Sequence, residues 1–109
     1  MKHVTFGEKS MMVGDEAAGL LVEYATALAD QGKADNVTLK AIDGDGNDVE
    51  ATFLLDPGAQ LVIETATTEV AEPDNREAEE YMQAHLEQLL NRPQGGPIDP
   101  DDRLEQDYV

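Results

Sequence analysis

Three groups of residues in this chain have side chains suited to catalysis or metal binding. Glu77, Tyr81 and His85 recur at four-residue spacing, so on a helix they share one edge. A carboxylate, a phenol and an imidazole placed that way would form an acid/base group or half of a metal site. Helical metal motifs set a second His or carboxylate three or four places from the first. Around His85 those places hold Met82 and Tyr81, so a histidine at the margin of the core is the simpler account. The second group, Asp43-Gly44-Asp45-Gly46-Asn47, opens like a calcium loop with oxygen ligands at alternate positions. An EF-hand then needs Gly at the sixth place and Glu at the twelfth. Those places hold Asp48 and Leu54. At most a weak cation site from Asp43, Asp45, Asn47 and Asp48 is expected, and no tight calcium binding. The third is Ser10, the only serine, which lacks a Gly-x-Ser-x-Gly setting. Cysteine is absent, which removes disulfides, thiolate chemistry and Cys-based metal centres. Neither glycine-rich nucleotide motif occurs, and no cofactor is expected.

What remains is charge. Twenty-four acids against seven bases leave a net charge of -17 in 109 residues. Nineteen of the acids and six of the bases fall within residues 1–92, so the excess belongs to the whole chain. Phosphate backbones and anionic membranes repel such a surface, which excludes direct nucleic-acid and membrane binding as expectations. The densest acidic run outside the C-terminal segment is Glu69, Glu72, Asp74, Glu77, Glu79, Glu80 and Glu87, against Arg76 alone. It reads either as a solvated helix exterior or as a docking face for a basic protein.

The elements that carry these residues follow from periodicity and punctuation. Residues 3–13 are extended, with Gly7-Glu8 suited to a two-residue turn; one bent strand and a hairpin both fit. A helix follows, capped by Asp15 and ended by Gly32. Its apolar stripes are Ala17, Leu21, Tyr24, Leu28 and, beside them, Ala18, Val22, Ala25, Ala29, which predicts wide burial and close approach to a sheet. Gly19 in its interior is a local cost, tolerable if another backbone packs there.

Val37, Leu39 and Ala41 alternate with polar residues, as do Val49, Ala51 and Phe53. Both apolar sets must face the same way, so paired residue numbers must sum to an even value. A two-residue turn at Asp45-Gly46 violates this. A three-residue loop from Gly44 to Gly46 satisfies it, setting Lys40 opposite Glu50, Thr38 opposite Thr52 and Val37 opposite Phe53, with Gly46 in the left-handed position. Pro57-Gly58 marks a turn, and Gln60–Thr67 reads as a further strand. A second helix begins at Asp74, with Glu77 as capping-box partner, buries Ala78, Met82, His85, Leu86 and Leu89, and ends by Pro93.

The fold class expected is α+β, a small antiparallel or mixed sheet of four to five strands with two helices, in the order β(β)αβββα. Residues 1–92 form one domain. Residues 93–109 carry three prolines, two glycines and five acids, and read as a flexible acidic tail. The absence of any long apolar run and of a signal-like N-terminus points to a cytoplasmic protein. Met12-Val-Gly-Asp-Glu-Ala-Ala18, Val49-Glu-Ala-Thr-Phe-Leu-Leu55 and Glu72-Pro-Asp-Asn-Arg-Glu-Ala78 resemble stretches of small acidic proteins of high-GC Gram-positive bacteria. The resemblance spans roughly residues 5–90 and implies no activity.

The chain is therefore expected to be a non-enzymatic interaction domain for a basic protein, or an inhibitor that imitates nucleic acid. Its candidate contacts are Glu72, Asp74, Glu77, Glu80 and Glu87, together with Ile98, Leu104 and Tyr108 in the tail. The alternative is a small enzyme or a weak divalent-cation-binding protein using carboxylates and His85.

Overall fold

The computed structural model describes residues 1–91. The candidate contacts Ile98, Leu104 and Tyr108 and the expected tail lie outside them. Its elements run β1 (Lys2–Phe6), β2 (Lys9–Val13), α1 (Asp15–Asp30), β3 (Asp35–Ile42), β4 (Asp48–Leu55), β5 (Leu61–Thr65) and α2 (Arg76–Leu90). The strands form one antiparallel sheet in the order β4-β3-β2-β1-β5. This is the α+β order expected, and residues 3–13 resolve as a hairpin. Phe6 pairs with Lys9 across a Gly7-Glu8 turn whose Gly7 has φ 62°, a conformation glycine adopts without steric cost. Among the described residues no helix is long and apolar enough to cross a membrane.

The β3–β4 hairpin has the register that apolar parity requires. Lys40 lies opposite Glu50, Thr38 opposite Thr52 and Val37 opposite Phe53. Asp43 N–H donates to Asn47 O and Gly46 N–H to Asp43 O, closing the three-residue loop with Gly46 at φ 86°. Thr38 and Thr52 hydroxyls meet at 2.8 Å on the outer face, while Val37, Leu39, Phe53 and Leu55 are buried on the inner one.

Helix α1 departs from expectation in three respects. Its N-cap is Gly14, and Asp15 lies in the first turn, where its carboxylate meets the Met1 amino group at 2.9 Å. That partner holds the Asp15 carboxyl below its usual range. The buried arc runs through Ala17, Ala18, Leu21, Tyr24, Ala27 and Leu28, leaving Val22 and Ala29 exposed, because α1 packs chiefly against α2 and only lightly on β1 and β5. Gly19 faces solvent, and a Cβ there would touch nothing within 4 Å. No backbone packs on it. Its C-terminus is as expected: Gly32 at φ 64° donates to Ala29 O, and Lys33 N–H reaches back to Leu28 O.

The sheet is weakly joined at its centre. β2 and β3 share one bridge, Met12 to Ile42. Two places further along that register Gly14 would face Lys40, but there the chain leaves the sheet to start α1. The vacancy on β3 is filled by Asn75, the one buried polar residue among those described. Its Oδ1 accepts from Lys40 N–H at 2.7 Å, and its Nδ2 donates to Lys40 O at 2.8 Å. A side-chain carboxamide has the donor and acceptor of a peptide group, so Asn75 stands in for a missing strand residue. It is also the N-cap of α2, its carbonyl accepting from Glu79 N–H at 2.8 Å. The expected cap, Asp74, instead accepts from Arg76 N–H at 3.0 Å, and no capping box forms with Glu77.

Two substitutions test this architecture by urea unfolding. Gly19→Ala should raise stability by about 0.5–1 kcal/mol, the interior-helix difference between the two residues. Asn75→Ala should lower it by about 2–3 kcal/mol, because two backbone groups of Lys40 lose their partners. Asn75→Asp, of the same shape, should cost at least as much at neutral pH, since a carboxylate oxygen would then face the Lys40 carbonyl.

Candidate functional site

One convergent group of titratable side chains in the described residues is hydrogen-bonded together, and the sequence did not reveal it. Tyr24 from α1 and Tyr81 from α2 both donate to the same oxygen, Oδ2, of Asp35 at the start of β3, at 2.5 and 2.6 Å. Asp35 Oδ1 accepts from Asn36 N–H at 2.8 Å. His85 stacks on Tyr81 with ring centroids 4.0 Å apart, donates from Nδ1 to Tyr81 O, and meets Tyr24 edge-on. The spacing of Tyr81 and His85 was legible as a shared helix edge, and the two do share it. Glu77 does not join them. It is exposed one turn before Tyr81 and lines a different groove. Tyr24 and Asp35 were missed as partners because only the tertiary fold joins them.

The cluster opens on a cleft of about 430 Å³ whose walls include Leu28, Lys33 and Leu89. Its electrostatics set the phenols and the carboxylate apart. Burial would raise the Asp35 carboxyl, but the two phenols, the Asn36 amide and His85 outweigh it and hold the group below its usual range. Tyr24 is pushed well above the ordinary phenol range by burial first and then by Asp35. Tyr81 is raised mainly by its bond to Asp35. A general acid or base works best with its pKa near the working pH, and these groups are driven away from it. The arrangement is a clasp joining α1, β3 and α2.

The acidic candidates lie elsewhere. Asp74, Glu77 and Glu80 line a groove of about 550 Å³ between the start of α2 and the outer face of β3–β4, where Glu50 faces them along with Lys40 and Arg76. Arg76 is tied to Asp74 at 3.8 Å, both groups being exposed. Glu72 lies apart, its carboxylate against Gly14 at the start of α1. Glu87 continues the exposed face of α2 beyond the groove. Burial, then Glu16, Glu72 and Asp74, raise the Glu79 carboxyl beside them, a sign of crowded negative charge.

In the Asp43–Asp48 loop, Asp43 Oδ1 is committed to the loop itself, accepting from Asp45 and Asn47 N–H at 2.9 Å each. No group of three or more His, Asp or Glu among the described residues is arranged to hold a metal ion.

Comparison with known proteins gives no matching family model, no similar curated protein and no similar solved structure.

The clasp makes a signed prediction. Asp35, its folded-state pKa lowered, contributes stability above the unfolded carboxyl value of about 4, lost as pH falls through the folded value. Tyr24 and Tyr81, their folded-state pKa values raised, contribute stability below about pH 10, lost as pH rises through the folded values. In a Tyr108→Phe chain, phenolate absorbance should therefore appear at higher pH than that of free tyrosine. Adding Asp35→Asn should return Tyr81 towards the free value while burial keeps Tyr24 high. Both phenols titrating as free tyrosine in the parent would refute the clasp.

Proposed function

We propose that this protein is a non-catalytic, acidic interaction domain whose partner is a basic protein. The observation that carries the reading is the convergence of Asp74, Glu77 and Glu80 with Glu50 on one groove, where four carboxylates meet two bases, one already tied to Asp74. Four carboxylates on one groove repel one another, so an incoming cationic group would relieve repulsion as well as form new pairs. The clasp supports the same reading from the other side, since Asp35 is held lowered and Tyr24 and Tyr81 raised, away from the range suited to proton transfer. An inhibitor that imitates nucleic acid is a special case of this reading, with the acidic face standing for phosphates. The likeness to small acidic proteins of high-GC Gram-positive bacteria brings no activity of its own.

The test uses the full chain as bait in host lysate, eluted by a salt gradient, beside a D74N/E77Q/E80Q variant of the same thermal stability. The parent should retain a basic protein released by rising salt. Exposed ion pairs are worth up to about 1 kcal/mol each, so losing three should weaken that partner about tenfold or more. Equal retention by both baits would remove the groove from the account.

A further inference from the structure

We infer that the free edge of β4 seats an extended, basic segment of the partner, added to the sheet as a sixth strand. β4 is the outermost strand on its side. The bond from Asp43 N–H to Asn47 O fixes which pairs of the hairpin exchange hydrogen bonds, and Lys40 with Glu50 is not one of them. Asn75 corroborates this, since it takes the Lys40 N–H and C=O from the side away from β4. By alternation Asp48, Glu50, Thr52 and Leu54 direct their backbone groups outward, away from β3. Their side chains are all exposed.

A groove of about 530 Å³ adjoins this edge, its apolar lining made of Phe6, Met11, Val49, Ala51 and Phe53. All but Phe53 are only half-buried, although they pack against the core. An added strand would send alternate side chains into that groove and the others over the outer face, the pattern of recognition by strand addition. Charge selects the occupant. Asp43, Asp45 and Glu50 rim the groove against Lys9, and Asp48 and Glu50 stand on the outer face of β4. A second copy would bring the same acids edge to edge, and residues 93–109 of this chain carry five acids and one base. Both are repelled, whereas lysines or arginines on a partner strand meet opposite charges. The inference takes the basic character of the partner from the proposed function, and its location and conformation from the edge and groove alone.

The experiment measures amide hydrogen exchange by NMR on the full chain with a synthetic valine–lysine repeat peptide of about eight residues, a typical strand length. Exchange at Glu50 and Thr52 should slow about tenfold at saturation, as for amides newly paired in a ladder. The protection should vanish with a central proline in the peptide, with a valine–glutamate repeat, and in Met11→Asp. Thr52→Pro removes an outward donor at an edge position where proline is tolerated, and should abolish binding with the fold intact. Equal protection by a valine–threonine repeat would overturn the charge argument. Changes confined to Asp74–Glu80 would overturn strand addition while leaving the basic partner standing. Protection in the free chain that grows with protein concentration would identify a second copy, and protection lost in I98S/L104S/Y108S would identify the chain's own C-terminal segment; either result overturns the proposal.

Discussion

One carboxamide closes the gap that this fold leaves on β3 and ties the second helix to it. β2 must leave the sheet at Gly14 so that α1 can start, which strips β3 of its neighbour at Lys40. A buried backbone group without a partner costs about as much as a lost hydrogen bond, and Asn75 supplies both missing bonds from 35 residues away. Because the same residue caps α2, the start of that helix is tied to the edge of β3. The Glu72 side chain, three residues before Asn75, lies over Gly14, where the strand departs.

With its start fixed, α2 is secured twice more along its length. Tyr81 reaches Asp35, and Leu89 O accepts from Gln31 Nε2 at 2.9 Å. These ties set which face of α2 turns inward. Met82 is fully buried, and Ala78, His85, Leu86 and Leu89 are partly so. Glu77, Glu80 and Glu87 are left on the opposite side. The acidic face is thus a by-product of polar anchors on the inner side. Its position beside the outer face of β3–β4 creates the groove.

Local rules read the fold well where both partners were close in sequence or bound by parity. The β3–β4 register followed from keeping two apolar sets together, and the Gly32 terminus from the left-handed conformation glycine permits. The same rules failed where a distant group competed. Asp15 and Asp74 both have the chemistry of helix caps. One turned to the Met1 amine, and the other lost the position to Asn75, whose side chain was wanted on β3. Gly19 was legible as a local cost to its helix, and no packed backbone offsets it. Asn75 and Asp35 carried no signal, since a polar residue beside a helix start and another at a strand start are ordinary until the fold joins them to Lys40, Tyr24 and Tyr81. The acidic face of α2 was legible from composition, but the separation of Glu72 from Asp74, Glu77 and Glu80 was not.

The distance between Lys40 and Asn75 also matters while the chain is being made. A ribosome adds about 5–20 residues per second, so β3 waits roughly two to seven seconds for the residue that covers its edge. During that interval neighbouring nascent chains meet with a strand whose hydrogen-bonding groups are open, the usual template for mispairing. Residues 1–40 are nearly balanced, with six acids against four bases, but residues 41–75 add nine acids and no base, so repulsion between copies grows as the wait proceeds. The acids of residues 41–75 thus act on the growing chain before they act on any encounter of the finished molecule.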